Sequence, residues 1–421
     1  MSKKCICDAK ECTLCLACMN SCPKDAIFIG TDDNGYEKIQ IDSTKCVDCG
    51  ICEQVCLRRK TVSRHTPVAS YAAQAKDRKA LERSASGGAF QMLAQIVLER
   101  GGVCYGSELV KEENEFRARH TRIDDLHQLP KILNTKYIPS QIGYTLQQVK
   151  QDLDTGRFVL FSGTPCQIQG LRSYLTKDYD NLLSADLICH GVASSNLFNQ
   201  HIKCIEENEG IEIMDYAFRD KTVSWGTNFC YQYYKKADPK QKLHIRHCPR
   251  EESSYTVHYL RADILRENCY ECACANTERF GDFTLGDYWE IEREYPEYII
   301  KGKHRISLKG GVSCILLNTE KAKAFVGDLS KVMDIREVTL DSVTAHNGNL
   351  REPSPRGAGR DQILKAFREG GYAAVEDAYR QRVGSKMRLY RIKNILKSCM
   401  PDVVRVWIYR SPMLRRIVFH E

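Results

Sequence analysis

The sequence predicts an α+β, mixed α/β chain. An N-terminal bacterial-type module with two [4Fe-4S] clusters leads into a mixed α/β body with a β-rich insertion, and a basic helical C-terminal tail follows. Three observations predict this. Eight cysteines in the first 56 residues fall into two identical spacings. From residue 69 onward, strand-like and helix-like runs alternate, the pattern of a layered α/β body. The last forty residues, 382–421, carry ten Lys or Arg against two acids.

The cysteines come first because they are the most specific. Cys12, Cys15, Cys18 and Cys22 form C-x2-C-x2-C-x3-C, followed by Pro23; Cys46, Cys49, Cys52 and Cys56 repeat the count, with Leu57 in place of the proline. Three thiolates at i, i+3 and i+6 of a looping backbone converge on one cubane. The fourth, carried on the short helix that follows, ligates the other cluster. Cluster 1 is therefore assigned Cys12, Cys15, Cys18 and Cys56, and cluster 2 Cys22, Cys46, Cys49 and Cys52. Zinc sites use cysteine pairs rather than triplets with a fourth at +4. A disulfide framework needs an oxidising compartment. Cys5 and Cys7 lie outside the pattern and read as bland thiols of the terminus.

At 421 residues the chain is too long for a ferredoxin alone. Its hydrophobic content is 43%, and no apolar stretch approaches a membrane span. The start, Met1-Ser2-Lys3-Lys4-Cys5, has no apolar leader core. With 21 cysteines, these features predict a soluble protein of the reducing cytoplasm. The tail's surplus of eight positive charges equals the formal charge of +8 on the whole chain, so the body is formally neutral. A nucleic-acid enzyme spreads basic charge around its cleft; no nucleic-acid partner is expected here.

Four segments are expected: the ferredoxin domain (1–60), the N-terminal part of the body (61–160), its C-terminal part (161–344) and the basic tail (345–421). Residues 57–68 read as a connector, and 69–75 as a strand. Ser86-Gly87-Gly88 opens a helix over 89–100, Gly101-Gly102 closes it, and a strand resumes at 103–106. A helix over 145–153 leads to a buried strand at 158–161. The turn Ser162-Gly163-Thr164-Pro165-Cys166 then starts a helix from Gln167. The strand 183–188 ends at Cys189-His190-Gly191, and a helix follows over 196–207. Between 213 and 260 the pattern changes to short alternating strands, such as 229–234 and 243–247. Residues 312–318 form one more buried strand.

Several turns can carry chemistry. The helix start at Ser86-Gly87-Gly88 offers free N–H groups to a phosphate, although an ordinary capped helix has the same local pattern. Cys166 and Cys189 both sit where a strand ends, at the carboxyl edge of the sheet. Cys166 reads as a nucleophile, a cluster ligand or a packed thiol. Together with Cys269 and Cys272 of Cys269-Tyr270-Glu271-Cys272-Ala273-Cys274, these two could hold a third [4Fe-4S] cluster. Zinc held by His244, His247 or Cys248 with Cys269 and Cys272 is the alternative, and buried free thiols are the other. Tyr288 and Trp289, after the Gly-Asp turns at 281 and 286, either stack on a planar cofactor or belong to the core. In the tail, Met387, Ile392, Ile395 and Leu396 interleave with Lys386, Arg391, Lys393 and Lys397. Val403, Val404, Trp407 and Ile408 follow, ahead of Arg415-Arg416. This reads as a peripheral helix on the anionic inner face of a membrane or as a helix docked on the body with a solvated basic edge.

Seven blocks, in order, resemble the coenzyme F420 hydrogenase/dehydrogenase beta-subunit family. They are Ser86 to Phe90, Lys136 to Ser140, Phe161 to Ile168, Asp186 to Val192, Phe218 to Lys221, Cys269 to Cys272 and Gly281 to Trp289. The resemblance implies a flavoprotein that binds FAD and an iron–sulfur cluster in its body. It implies that Cys166, Cys189, Cys269 and Cys272 form the third cluster, with Cys272 and Cys274 alternatives for one position. It also implies that Ser86, Gly87, Gly88 and Lys136, with Gly163 and Thr164, line the flavin site. The implied enzyme is an oxidoreductase. It passes electrons between a hydride carrier or substrate (coenzyme F420 or a nicotinamide) and one-electron partners, either a redox partner protein or a low-potential electron carrier. Relatives among surface-polysaccharide genes imply a reductive step on a glycan precursor. The rival reading is a non-catalytic electron-relay or scaffold subunit of a larger redox complex.

Overall fold

The computed structural model describes residues 6–8, 10–222, 224–301, 305–411 and 413–414. Cys5 and Arg415-Arg416 lie outside the described residues.

The doubled cysteine spacing produces a doubled backbone. Leu14 and Leu16 have φ of 54° and 57°, and Asp48 and Gly50 have 54° and 73°. Each pair brackets the second cysteine of its repeat, Cys15 or Cys49. Left-handed residues flanking a cysteine curl the loop around a common centre, at roughly 1–2 kcal/mol for each non-glycine residue. Each loop runs into a single-turn helix, Ala17–Asn20 or Ile51–Gln54. The antiparallel hairpin Ile27–Thr31 with Glu37–Ile41 lies between the repeats, Ile27 opposite Ile41.

The body is built on a nine-stranded sheet. Its order is Met333–Glu337, Ala69–Ala75, Ser313–Leu317, Phe283–Asp287, Leu182–Leu187, Val159–Gly163, Val103–Glu112, Glu115–Ile123 and Ser140–Gln141. The central four, from Phe283–Asp287 to Val103–Glu112, run parallel. Their paired segments are buried apart from Leu187, which is why they read as near-continuous apolar runs. Strands from 61–160 and 161–344 share this sheet, so the two expected halves form one body. The hairpin of Val103–Glu112 and Glu115–Ile123 turns at Glu113 and Asn114, both with positive φ (51° and 65°). That geometry matches the twist of a two-residue hairpin loop.

Helix Ala89–Glu99 packs on one face of the sheet, where Met92, Leu93 and Val97 meet Leu160, Leu183 and Ile315. Helices Thr145–Asp154 and Pro165–Leu175 cover the other, where Leu146, Val149, Ile168 and Leu171 meet Val159 and Phe161. The β-rich insertion is a separate antiparallel sheet of Ile211–Ala217, Phe229–Lys235 and His244–Cys248. Beyond residue 344, helix Arg360–Val383 is part of the core: Leu364, Phe367, Tyr372 and Val375 join the cluster that contains Phe198 and Tyr255. It kinks at Gly370 and Gly371. Helices Met387–Cys399 and Asp402–Arg410 follow. Among the described residues, no helix is long and apolar enough to cross a membrane.

Candidate functional site

The curled loops place the N-terminal cysteines around two cavities. One, of about 320 Å³, is lined by Cys12, Cys15, Cys18 and Cys56. The other is smaller and is lined by Cys22, Cys46, Cys49 and Cys52. The fourth cysteine of each repeat thus lies beside the other repeat's triplet. Among the described residues, no three of these sulfurs lie within 4.8 Å of one another. A single tetrahedral ion draws its thiolates closer than that. An all-thiolate set around an open centre suits a cubane, whose irons each take one sulfur. Cys7, read from sequence as a bland terminal thiol, lines the first cavity beside Cys12 and Cys56.

The fold also gathers the distant cysteines of the body. Cys166 lies in the first turn of helix Pro165–Leu175, which starts two residues before the expected Gln167. Proline suits the first helical position because its missing N–H would have no partner there. Cys189 follows strand Leu182–Leu187. Their thiols interact with those of Cys269 and Cys272, and burial raises Cys166, Cys189 and Cys269 above the usual thiol range. Cys274 lies behind Cys272, nearly enclosed, with Sγ 3.6 Å from Gln169 Oε1. The neighbouring Cys274 is the chief cause that holds the Cys272 thiol down to about 6.

A buried guanidinium fixes the loop that carries Cys269, Cys272 and Cys274. Arg279 donates to Asp186 Oδ1 from Nε (3.1 Å) and Nη2 (2.8 Å). It also donates to the carbonyls of Cys274 (3.2 Å), Asn276 (3.0 Å) and Leu187 (2.9 Å). Asp186 takes further hydrogen bonds from Thr284 Oγ1 (2.7 Å) and Gly281 N (3.0 Å). Both charges are almost fully buried, so the pair is worthwhile only because nearly every lone pair and N–H has a partner. The loop is thereby tied to the strand that precedes Cys189.

A cavity of about 460 Å³ opens beside these thiols. Cys166, Cys189, Gly163 and Thr164 line one part of it; Ser86, Gly88 and the first turn of helix Ala89–Glu99 line another. This volume lies within the range of cofactor pockets. Gly87 sits against the sheet: a Cβ there would lie 2.2 Å from the Ala73 carbonyl oxygen and 2.5 Å from Ser313 N. Only glycine brings the helix start this close. Ser86 Oγ donates to the Val312 carbonyl (2.8 Å), and Lys221 Nζ donates to the carbonyls of Ser86 and Gly310, both at 2.7 Å.

Lys136 lines the cavity, but its ammonium group is engaged by backbone. It donates to the carbonyls of Ser107 (2.6 Å), Leu133 (2.6 Å) and Asn134 (3.3 Å). Burial pushes its pKa down to about 7, while the three acceptors favour the charged form. Thr164 Oγ1 lies 3.1 Å from Cys166 Sγ. Tyr288 is a core residue, fully buried, its hydroxyl 2.7 Å from Ser342 Oγ. Trp289 stacks on Trp225, centroids 5.0 Å apart, and lines the cavity. The zinc alternative is not assembled as written. His247 Nδ1 is 2.8 Å from Asp220 Oδ2, with Cys230 as third neighbour, while Cys248 is buried in the apolar core.

Three lining residues had no role in the sequence reading. Arg219 donates two hydrogen bonds to Asp287 (2.8 and 3.1 Å), beneath Trp289. Arg219 and Asp287 lay in quoted blocks, but nothing in their spacing paired them. His120 bridges Ser140 Oγ (2.9 Å) and the Ser162 carbonyl (3.0 Å) and stacks on Phe161. Only the hairpin register brings it to the cavity, and its own segment carries no motif.

The ferredoxin module docks next to Cys166. A Cβ on Gly170, one turn along the same helix, would lie 2.6 Å from Cys15 Cβ. Ser173 Oγ donates to the Val55 carbonyl (2.8 Å), Lys60 Nζ to the Ser173 carbonyl (2.8 Å), and Arg266 Nη2 to the Cys12 carbonyl (3.1 Å). Thr13, Leu14 and Leu16 of the module line the 460 Å³ cavity.

Residues 156–342 match the family model for the C-terminal region of the coenzyme F420 hydrogenase/dehydrogenase beta subunit, and residues 11–59 match that of the 4Fe-4S dicluster domain. The first match spans a little under half of the chain and places the segment that holds the body thiols in the coenzyme F420 hydrogenase/dehydrogenase beta-subunit family. This is an oxidoreductase family, and the chain is an iron–sulfur redox protein within it. The first of the two matches covers the strand-to-helix turn with Cys166, the Cys189 segment, the β-rich insertion and the Cys269 to Cys274 loop. A chain in the xenon-derivatised F420-reducing [NiFe] hydrogenase complex from Methanosarcina barkeri aligns at 12% identity, over 75% of this chain and 91% of its own, with a TM-score of 0.38. No curated protein matches.

Proposed function

We propose that this chain is an oxidoreductase that moves electrons between a two-electron hydride carrier or substrate and one-electron partners, using FAD and three [4Fe-4S] clusters. One observation carries the reading. A single cavity touches both the glycine-rich helix start at Ser86–Gly88 and the thiols of Cys166 and Cys189, and Cys15 of the N-terminal module lies one helical turn from Cys166. FAD, when bound, exchanges electrons in pairs with a hydride carrier and singly with clusters.

The chain's own residues have definite tasks in this reading. The N–H groups at the start of helix Ala89–Glu99 receive the phosphates, and Gly87 lets the helix sit close to the sheet. Lys136 braces the cavity wall and lends positive charge to an anionic ligand. Trp289, fixed by Trp225 and Arg219, offers a flat wall. Cys272 is the ligand of the Cys-x-Cys pair, and Cys274, whose S–H donates to Gln169 Oε1, packs beside it. Hydrogen bonds to cluster sulfur and exclusion of water tune the potentials.

The external one-electron partner is a redox protein or a low-potential carrier. The hydride carrier is coenzyme F420 or a nicotinamide. The family resemblance extends the substrate class to a glycan precursor of surface-polysaccharide metabolism, in the reducing cytoplasm.

Anaerobic purification with iron, sulfide and flavin analysis tests the proposal. About twelve irons and one FAD per chain are expected, at four irons per cubane. Reduced nicotinamide or reduced deazaflavin should bleach the flavin band. Flavin-free protein with full iron would instead support the electron-relay reading.

A further inference from the structure

The last two described helices present apolar side chains to solvent, and the first of them meets the protein through polar ones. Helix Met387–Cys399 meets the body through Arg391, whose Nε donates to Glu252 Oε1 at 2.6 Å, and Asn394, whose Nδ2 donates to Asn228 Oδ1 at 3.3 Å. Leu389, Ile392, Ile395 and Leu396 are 48%, 54%, 60% and 63% exposed. Three of them lie at i, i+3 and i+7, on one face of the helix. A soluble amphipathic helix is oriented the other way round.

Helix Asp402–Arg410 already has a buried face. Val406 joins the cluster with Ile291 and Ile299, and Ile408 and Arg405 are buried too. Val403, Val404 and Trp407 form a second apolar face that docking does not use, and Met413 follows, also exposed. Of the 17 exposed large hydrophobic residues among the described residues, eight fall between Leu389 and Met413. Such a concentration marks an interaction surface rather than scattered surface apolarity.

We propose that these two helices form a peripheral docking surface for a bilayer of anionic lipid. Charge selects that occupant. Residues 382–421 carry ten basic and two acidic residues, and Arg388 and Arg410 on the two helices, with Lys386 just before the first, are exposed. Each basic residue near an anionic surface adds to the attraction. Aliphatic side chains enter the acyl boundary and Trp407 suits the headgroup level. Neither helix is long enough to span the bilayer, so both lie on its surface.

The test uses the full chain, purified anaerobically with its iron. It compares sedimentation with vesicles of phosphatidylcholine alone and of phosphatidylcholine with phosphatidylglycerol, at about 0.1 M and about 0.5 M salt. Binding is expected to the anionic vesicles at low salt, to weaken at high salt, and to be much lower on neutral vesicles. The variant Ile392→Ser/Leu396→Ser/Trp407→Ser alters only exposed side chains and should keep wild-type iron content and thermal stability. It should lose most of the bound fraction. Arg388→Gln/Arg410→Gln should weaken binding and flatten its salt dependence. Wild-type protein that ignores anionic vesicles overturns the proposal, as does equal binding by wild type and the triple variant. A concentration-dependent dimer that the triple variant abolishes, without vesicle binding, would make the face a protein interface and also overturn it. Flavin and iron content do not enter the readout, so its outcome is independent of the redox assignment.

Discussion

Cys56 and Cys7 reach the same cavity by different routes. Cys56 follows a single-turn helix at the end of a repeat, on backbone set by left-handed turns at Asp48 and Gly50. Cys7 sits in a terminal segment with neither helix nor strand. A cubane takes four thiolates, and Cys12, Cys15, Cys18 and Cys56 already form the better-fixed set. Cys56→Ala is therefore expected to lower iron by about four per chain, whereas Cys7→Ala keeps it; metal analysis of both variants checks this. His120 supports a separate residue-scale prediction. Burial lowers its pKa from 6.5 to about 4. Between those values the unfolded chain holds a proton on this imidazole that the folded chain does not, so stability falls as pH drops from 6.5 towards 4 and is flat below. The dependence is worth about 1.4 kcal/mol per pH unit within that window. His120→Gln should therefore lose about 2 kcal/mol less than wild type between about pH 7 and about pH 5, read from denaturant midpoints.

Elements bring together what sequence spacing leaves apart. The strands 69–75, 158–161, 183–188 and 312–318 were legible because buried parallel or central strands are continuous apolar runs. Helices 89–100 and 145–153 were legible from apolar periodicity and terminal glycines. Glu115–Ile123 was not, because Arg117, Arg119 and His120 interrupt its apolar signal although Phe116, Ala118 and His120 all face inward. The core role of Arg360–Val383 was hidden by its polar composition and its break at Gly370-Gly371. The grouping of the N-terminal cysteines around two cavities was readable because sequence-local loops hold them. The gathering of Cys166, Cys189, Cys269 and Cys272 depends on crossovers of the sheet; their placement at strand ends raised it as one of several readings, and the family blocks favoured it. Arg279 is the element-scale test of that gathering. Arg279→Met removes one partner of a buried ion pair and frees the 269–276 loop. It should cost about 3–5 kcal/mol and lower iron by about four per chain. Adding Asp186→Leu removes the stranded charge and should recover part of the stability but not the iron, because the carbonyls of Cys274 and Asn276 still lack their donor. Denaturation and metal analysis on the same samples separate the two effects.

On the scale of the whole molecule, the question is whether the N-terminal module and the body work as one redox unit. Gly170 is where the structure allows that to be tested. Glycine in a helix interior costs about 1 kcal/mol relative to alanine, so helical propensity gives no reason for it. Contact does: any Cβ at this position meets Cys15 Cβ at 2.6 Å and Cys15 Sγ at 3.1 Å. The helix that places Cys166 at the large cavity thus presses, one turn later, on the loop that places Cys15 at the first N-terminal cavity. Gly170→Leu forces the two apart at an overpacking cost of about 1–3 kcal/mol, while every thiol of each proposed set remains. With the proposed cofactors, the variant is expected to retain iron and FAD at wild-type stoichiometry and to bleach the flavin band with the proposed hydride carrier at the wild-type rate. Reduction of the N-terminal clusters by that carrier, followed by rapid-freeze electron paramagnetic resonance, should be slowed, whereas dithionite reduces them as in wild type. Unchanged transfer in a variant that is measurably less stable would show that electrons do not pass between body and module at this contact.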